Sequence, residues 1–120
     1  MKMSKGSIKQ GEIWIVDFEP QVGAEINKTR PAVVIGRNDC VDFGIKIVVP
    51  ITTWKDKFYQ GLWFVKIQPN SKNNLLKPSA ANCFQIKSFS HSRFLYKIGE
   101  LDENHMQLIR KTINSLISKS

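Results

Sequence analysis

Ile13, Ile15 and Asp17 fall on one side of an alternating run, and Trp14, Val16 and Phe18 on the other. A two-residue period is that of a β-strand. Similar runs, rich in β-branched and aromatic residues, predict strands at 12–18, 31–37, 45–52, 61–68, 80–88 and 93–98. Turn-forming stretches divide them: Pro20 to Gly23, Asn38-Asp39, Lys55 to Gln60, Pro69 to Asn74, and Ser88 to Ser92. Many short strands in a small chain predict a mainly β fold, either a compact barrel or a strongly bent sheet. The period then changes. Met106, Ile109, Ile113, Leu116 and Ile117 recur at three- and four-residue spacing, which predicts an amphipathic C-terminal helix from near Asp102 to Ser118. Asp102 is its expected N-cap, and Glu103 adds negative charge near the positive end of the helix dipole. The apolar stripe is expected to lie on the barrel as a lid, with a partner-binding helix as the alternative.

Residues 1–10 are polar and expected to be loose, and 11–120 are expected to form a single domain, since no repeat or linker interrupts them. One core of modest size is what 120 residues allow. Eighteen Lys and Arg against ten Asp and Glu leave a formal net charge of +8. Such an excess on a small domain favours a polyanionic partner, nucleic acid or an acidic protein segment. Cys40 and Cys83 lack any Cys/His spacing that would hold zinc, so no metal site or cofactor is expected. Their expected state is two partly buried thiols in a reducing compartment. The basic start MKMSKGSIKQ lacks the apolar stretch of a signal peptide. No run approaches the ~20 apolar residues of a membrane helix, so a cytoplasmic location is expected.

Candidate chemistry concentrates in the loop that precedes the second strand. Glu25, Asn27, Lys28, Thr29 and Arg30 lie close together, and Pro31 restricts Arg30 to extended backbone. A guanidinium offers paired, planar donors to a phosphate at every relevant pH; a surface ion pair with Glu25 is the plainer use. Beyond the third strand, Trp54-Lys55-Asp56-Lys57-Phe58-Tyr59 interleaves rings with charges. Such a loop suits unpaired bases and their phosphates, or its rings fold back on the barrel rim. His91 and His105 share no motif with these residues and read as surface histidines. That argues against a two-histidine ribonuclease.

Four blocks, in order from about Gly11 to Ile117, carry a family resemblance. They are GEIWIVDFEPQVGAEINKTRPAVVI, IVVPITT over Ile47–Thr53, NCFQIKS over Asn82–Ser88, and QLIRKTINSLI near the end. Their combination resembles the MazF/PemK toxins, which are sequence-selective endoribonucleases of type II toxin–antitoxin systems. The resemblance implies an SH3-like barrel of the kind shared by MazF, CcdB and Kid, assembled as a homodimer. It implies cleavage of single-stranded RNA without a metal, and a MazE/PemI-like antitoxin whose acidic tail occupies the RNA site. DNA would be met only indirectly, through that antitoxin.

Residue by residue, Arg30 matches the arginine required for cleavage and Thr52 the catalytic threonine, with Thr53 the fallback if the register slips. Adjacent threonines alternate across a sheet, so only one is expected to face the site. Glu25 either orients Arg30 or accepts the proton of a ribose 2′-hydroxyl. Lys28, Trp54, Lys55, Gln85 and Lys87 are candidate RNA contacts. A gyrase poison of the CcdB type, which shares the barrel and needs no catalytic site, is the competing function. A barrel that only binds RNA is the third.

Overall fold

The computed structural model describes residues 7–18, 29–39 and 43–120. Among these residues seven strands and one α-helix follow in the order β1 (Glu12–Asp17), β2 (Thr29–Val34), β3 (Ile45–Thr53), β4 (Phe64–Ile67), β5 (Ser79–Asn82), β6 (Lys87–Ser90), β7 (Phe94–Glu100) and α1 (Glu103–Ile117). Every strand pairing is antiparallel. The sheet runs β4-β5-β3-β2-β1-β7, with β6 also on β3. It bends into a barrel-like form without closing between β4 and β7. The mainly β architecture with a closing helix is the one expected. No helix among the described residues is long and apolar enough to cross a membrane.

Alternation on β1, β2 and β3 feeds two cores at once. Ile13, Val33, Val49 and Ile51 pack with Met106 and Ile109 of α1. Trp14, Val16, Ala32, Val34 and Val48 face the other way and surround Phe94. The three strands are therefore buried on both faces, which pins their register, because a one-residue slip would exchange the two cores. The helix is the expected lid: Asp102 accepts from the His105 amide at 2.8 Å as N-cap, and Ile113 and Leu116 pack on the core. Ile117 is the exception to its stripe and remains exposed. Of the N-terminal segment expected to be loose, residues 7–10 are described. Ile8 is buried in the second core, and the Gln10 side-chain Nε2 donates to the Ile35 carbonyl at 2.8 Å.

Three strands differ from expectation. The second begins at Thr29 rather than 31, because Thr29 and Arg30 already pair with Asp17 and Val16. The fourth is shorter than 61–68 because residues 61–63 form a bend and turn that continue the 3-10 turn over Asp56–Gln60. The predicted 80–88 strand is two strands, β5 and β6, separated by a 3-10 turn at Cys83–Gln85. The Asn82 side chain accepts from the Phe84 amide at 3.2 Å, a local bond that competes with the ladder and starts the turn. Cys83 is fully buried there, and burial pushes its thiol up to about 12.

The β4–β5 connection is a built loop. Asn73 is buried; its Oδ1 accepts from the Asn70 and Leu75 amides, both at 3.0 Å, and its Nδ2 donates to the Gln68 carbonyl at 2.9 Å. Gly99 of β7 lies directly against this turn, and a Cβ there would meet the Asn73 carbonyl oxygen at 2.5 Å. Removing the Asn73 amide strands two backbone donors and one acceptor. Asn73→Ala should therefore cost about 2 kcal/mol in denaturant unfolding; a change within ~0.5 kcal/mol would show that water replaces all three bonds.

Candidate active site

β2 and β3 pair at Val34–Val48, Val33–Val49 and Ala32–Pro50, and the ladder stops there. Pro31 and Pro50, which sit at the parting, have no amide hydrogen to extend it. Beyond that point Thr29, Arg30 and Pro31 stay with β1, while Ile51, Thr52 and Thr53 pair with Ala81, Ala80 and Ser79 of β5. The strands diverge, and a cavity of about 490 Å³ opens between them.

Arg30, Thr52 and Thr53 all line this cavity. Adjacent on β3, the two threonines alternate across the strand, Thr53 on the side of Ile51 and Thr52 on that of Val48, and both residues border the cavity where β2 has peeled away. Arg30 is exposed, and none of the described carboxylates is ion-paired with it. Lys77 brings a second positive charge, and no carboxylate stands among the described residues that line the cavity. Among the described lining residues the electrostatics are those of an anion site, with a guanidinium, an ammonium and threonine hydroxyls and no carboxylate.

Sequence reasoning missed the opposite wall. Leu75 and Leu76 from the β4–β5 loop and Tyr96 from β7 complete the cavity. Tyr96 stands opposite Ile15 on β1, whose partner on the other side is Pro31, so strand topology, not proximity in sequence, brings it to the cavity that Arg30 also lines.

Other candidates lie elsewhere. Glu25 and Lys28 fall outside the described residues. Trp54 follows Thr53 but turns away from the cavity lining and into its own loop. Its ring meets Phe58 and Tyr59 edge-on at 5.6 and 4.8 Å, with the Lys66 ammonium 5.0 Å from its centroid. Phe58 in turn stacks on Phe64 at 3.9 Å. Lys55 is exposed at the entry to that turn.

Gln85 and Lys87 are exposed. Lys87 stands opposite Val48, so along β3 it is four residues from Thr52, roughly 13 Å. Neither lines the cavity; the three-residue turn at Cys83–Gln85 carries β6 along the far half of β3. The histidines are also remote. His105 sits beside the Asp102 carboxylate at 2.9 Å. The amide and ring of His105 together hold Asp102 below the ordinary carboxylate range. His91 begins a 3-10 turn over His91–Arg93. Among the described residues no three of His, Cys, Asp and Glu cluster as metal ligands.

The chain is thus a barrel-like antiparallel sheet with one closing helix, in which an arginine and two threonines border a cavity where two strands part. Residues 9–117 match the family described as PemK-like, MazF-like toxin of type II toxin-antitoxin system, and the chain belongs to that family. Over 100 residues it is 32% identical to endoribonuclease MazF9 of Mycobacterium tuberculosis, spanning 78% of this chain and 82% of the relative. Among solved structures it resembles MazF of Deinococcus radiodurans with a TM-score of 0.70 at 20% identity, covering 92% and 96% of the two chains. A MazE-MazF structure from the same organism gives 0.71 at 18% identity, covering 93% and 96%. At such identities the two structures speak for the fold.

Because Arg30 and Thr53 project from strand ends into open space, the core does not need them. Arg30→Ala and Thr53→Ala should each leave the unfolding free energy within ~0.5 kcal/mol of the parent. A loss of ~2 kcal/mol for Arg30→Ala would instead make it a structural residue.

Proposed function

We propose that this chain, as one toxin domain over residues 11–120, acts in the cytoplasm as a homodimeric endoribonuclease. It cuts single-stranded RNA at selected sequences without a metal ion. The observation that carries this reading is the convergence of Arg30, Thr52 and Thr53 on a cavity whose described lining holds no carboxylate. Membership of the toxin family and likeness to an endoribonuclease relative support it, as does the net charge of +8.

A phosphodiester drawn to Arg30 places its non-bridging oxygens against the guanidinium. The ribose 2′-oxygen on the 5′ side of the cut attacks phosphorus in line. The O2′–P bond forms and the P–O5′ bond breaks. The 2′-hydroxyl proton leaves to a base, and the departing O5′ takes a proton, giving a 2′,3′-cyclic phosphate and a 5′-hydroxyl. Charge builds on the five-coordinate phosphorus, where Arg30 gives paired donors and Thr52 one hydroxyl donor. The RNA carries its own nucleophile, already adjacent to the phosphorus, so the protein's task is alignment and charge stabilisation. Glu25 serves as the base or orients Arg30; an ordinary glutamate pKa near ~4.3 favours orientation.

A gyrase-poisoning role needs neither the arginine nor the threonines, so the site itself favours the nuclease. The antitoxin partner reaches the same cavity with an acidic segment, whose carboxylates take the phosphate's place on Arg30 and Lys77.

Replacing the single ribose 5′ to the cut by 2′-deoxyribose should abolish cleavage and leave binding largely intact, with EDTA without effect. Cleavage of the deoxy strand at a comparable rate would remove the 2′-oxygen from the mechanism. Arg30→Ala should lower single-turnover cleavage at least ~100-fold, and Arg30→Lys should be nearly as impaired, because an ammonium lacks the planar pair of donors. A near-normal lysine variant would mean that charge alone suffices.

Antitoxin-segment affinity should fall steeply between 50 and 500 mM salt (on the order of tenfold or more) because charge pairing dominates. Calorimetric titration that found no salt dependence would point to an apolar interface instead.

A further inference from the structure

Arg30 and the threonines occupy only one end of the cavity. The rest is apolar: Ile15, Ile51 and Ile98 from three strands form its base, and Leu75, Leu76 and Tyr96 its sides. Two of these side chains are conspicuous by exposure. Leu76 is 97% exposed and Tyr96 58% exposed, although both border a cavity whose base is well packed. A phosphodiester has no use for such walls. The group that does is flat, largely apolar on its faces, polar at its edge and attached within one sugar of the phosphate.

Resting on the ribonuclease reading above, we infer that this compartment receives the base of a nucleotide flanking the scissile phosphate. Leu76 and Tyr96 then act as specificity-determining residues. The volume of about 490 Å³ falls within the ~300–1,000 Å³ of small-ligand pockets and accommodates one nucleotide, not a stretch of strand. Charge fits as well: Arg30 and Lys77 border the cavity, so an anion on either side of the base finds a cation. Unpaired bases are held by stacking on aromatic faces and read at their edges. Tyr96 supplies such a ring, and Thr53, which is exposed, brings a hydroxyl to the border of the cavity.

Selectivity requires a wall that does not yield, and this one is anchored. The Asn73 bonds and the close fit of Gly99 under the Asn70–Asn73 turn fix the chain immediately before Leu75 and Leu76. The Asn74 side chain also ties the loop to the Ile98 carbonyl of β7 at 2.7 Å. The loop and the strand that carry the two walls are thus joined to each other.

The test pairs variants with modified RNA. Product 5′ ends from a long RNA of mixed sequence, digested by the parent, Leu76→Ala, Tyr96→Ala and Tyr96→Phe, report base preference at each position around the cut. The alanine variants should still cleave, with preference relaxed at one flanking position and retained at the others, while Tyr96→Phe keeps the parent pattern because its ring is intact. On an oligonucleotide made abasic at that position, the parent should lose about tenfold and Tyr96→Ala should lose no more than it has already lost. Unchanged preference in both alanine variants, or equal loss at every position, would overturn the assignment. So would weakened antitoxin binding with RNA preference intact, which would give the walls to the partner. A parent protein that cuts no RNA would instead overturn the nuclease reading.

Discussion

The parting of β2 from β3 is the constraint on which the site depends. An antiparallel ladder needs an amide donor from each strand in turn, and proline has none to give. With Pro31 on one strand and Pro50 on the other, pairing ends at Ala32–Pro50. Each strand then finds a different neighbour, β1 for one and β5 for the other. Space between strands follows directly, and Arg30 and Thr52 stand at the two loose ends, one on each bank of it. Had the ladder continued, these residues would face the surface of a continuous sheet, about 5 Å apart in the pairing direction, with no cavity between them.

Burial on both faces makes such a parting tolerable. The paired portions of β1, β2 and β3 hold two cores in register, so the ends can diverge without loosening the middle. The anchored β4–β5 loop serves the same purpose on the other side. Asn73 converts what would be an open eleven-residue connection between Gln68 and Pro78 into a fixed wall, at the cost of burying an amide that must be fully bonded. Rigidity here comes from polar satisfaction inside the loop together with Leu75, which packs into the core.

Local pattern made the β1 alternation, the Arg-Pro step, the Thr-Thr strand end and the Asp102 cap legible in the sequence, because each is a short-range signal. The convergence of Arg30 with Thr52 was reachable only through family resemblance, since 21 residues of chain lie between them. The wall of Leu75, Leu76 and Tyr96 left no trace, being set by the fit of Gly99 against a turn 26 residues earlier. Gln85 and Lys87 were candidates through the family resemblance of their block alone, which carries no information on the 3-10 turn at Cys83–Gln85 that divides β5 from β6. Trp54 was balanced between stacking platform and packed ring. Its contacts with Phe58, Tyr59 and Lys66 favour the packed ring.

If the two banks of the cavity grip one phosphate, their contributions cannot be independent. Single-turnover cleavage by Arg30→Ala, Thr52→Val and the double variant measures this directly as a mutant cycle. The double variant should be little slower than Arg30→Ala alone, because once the guanidinium is lost the phosphate is no longer held where the hydroxyl can reach it. Losses that multiply in full would contradict the account, placing the two residues on separate steps or separate parts of the RNA.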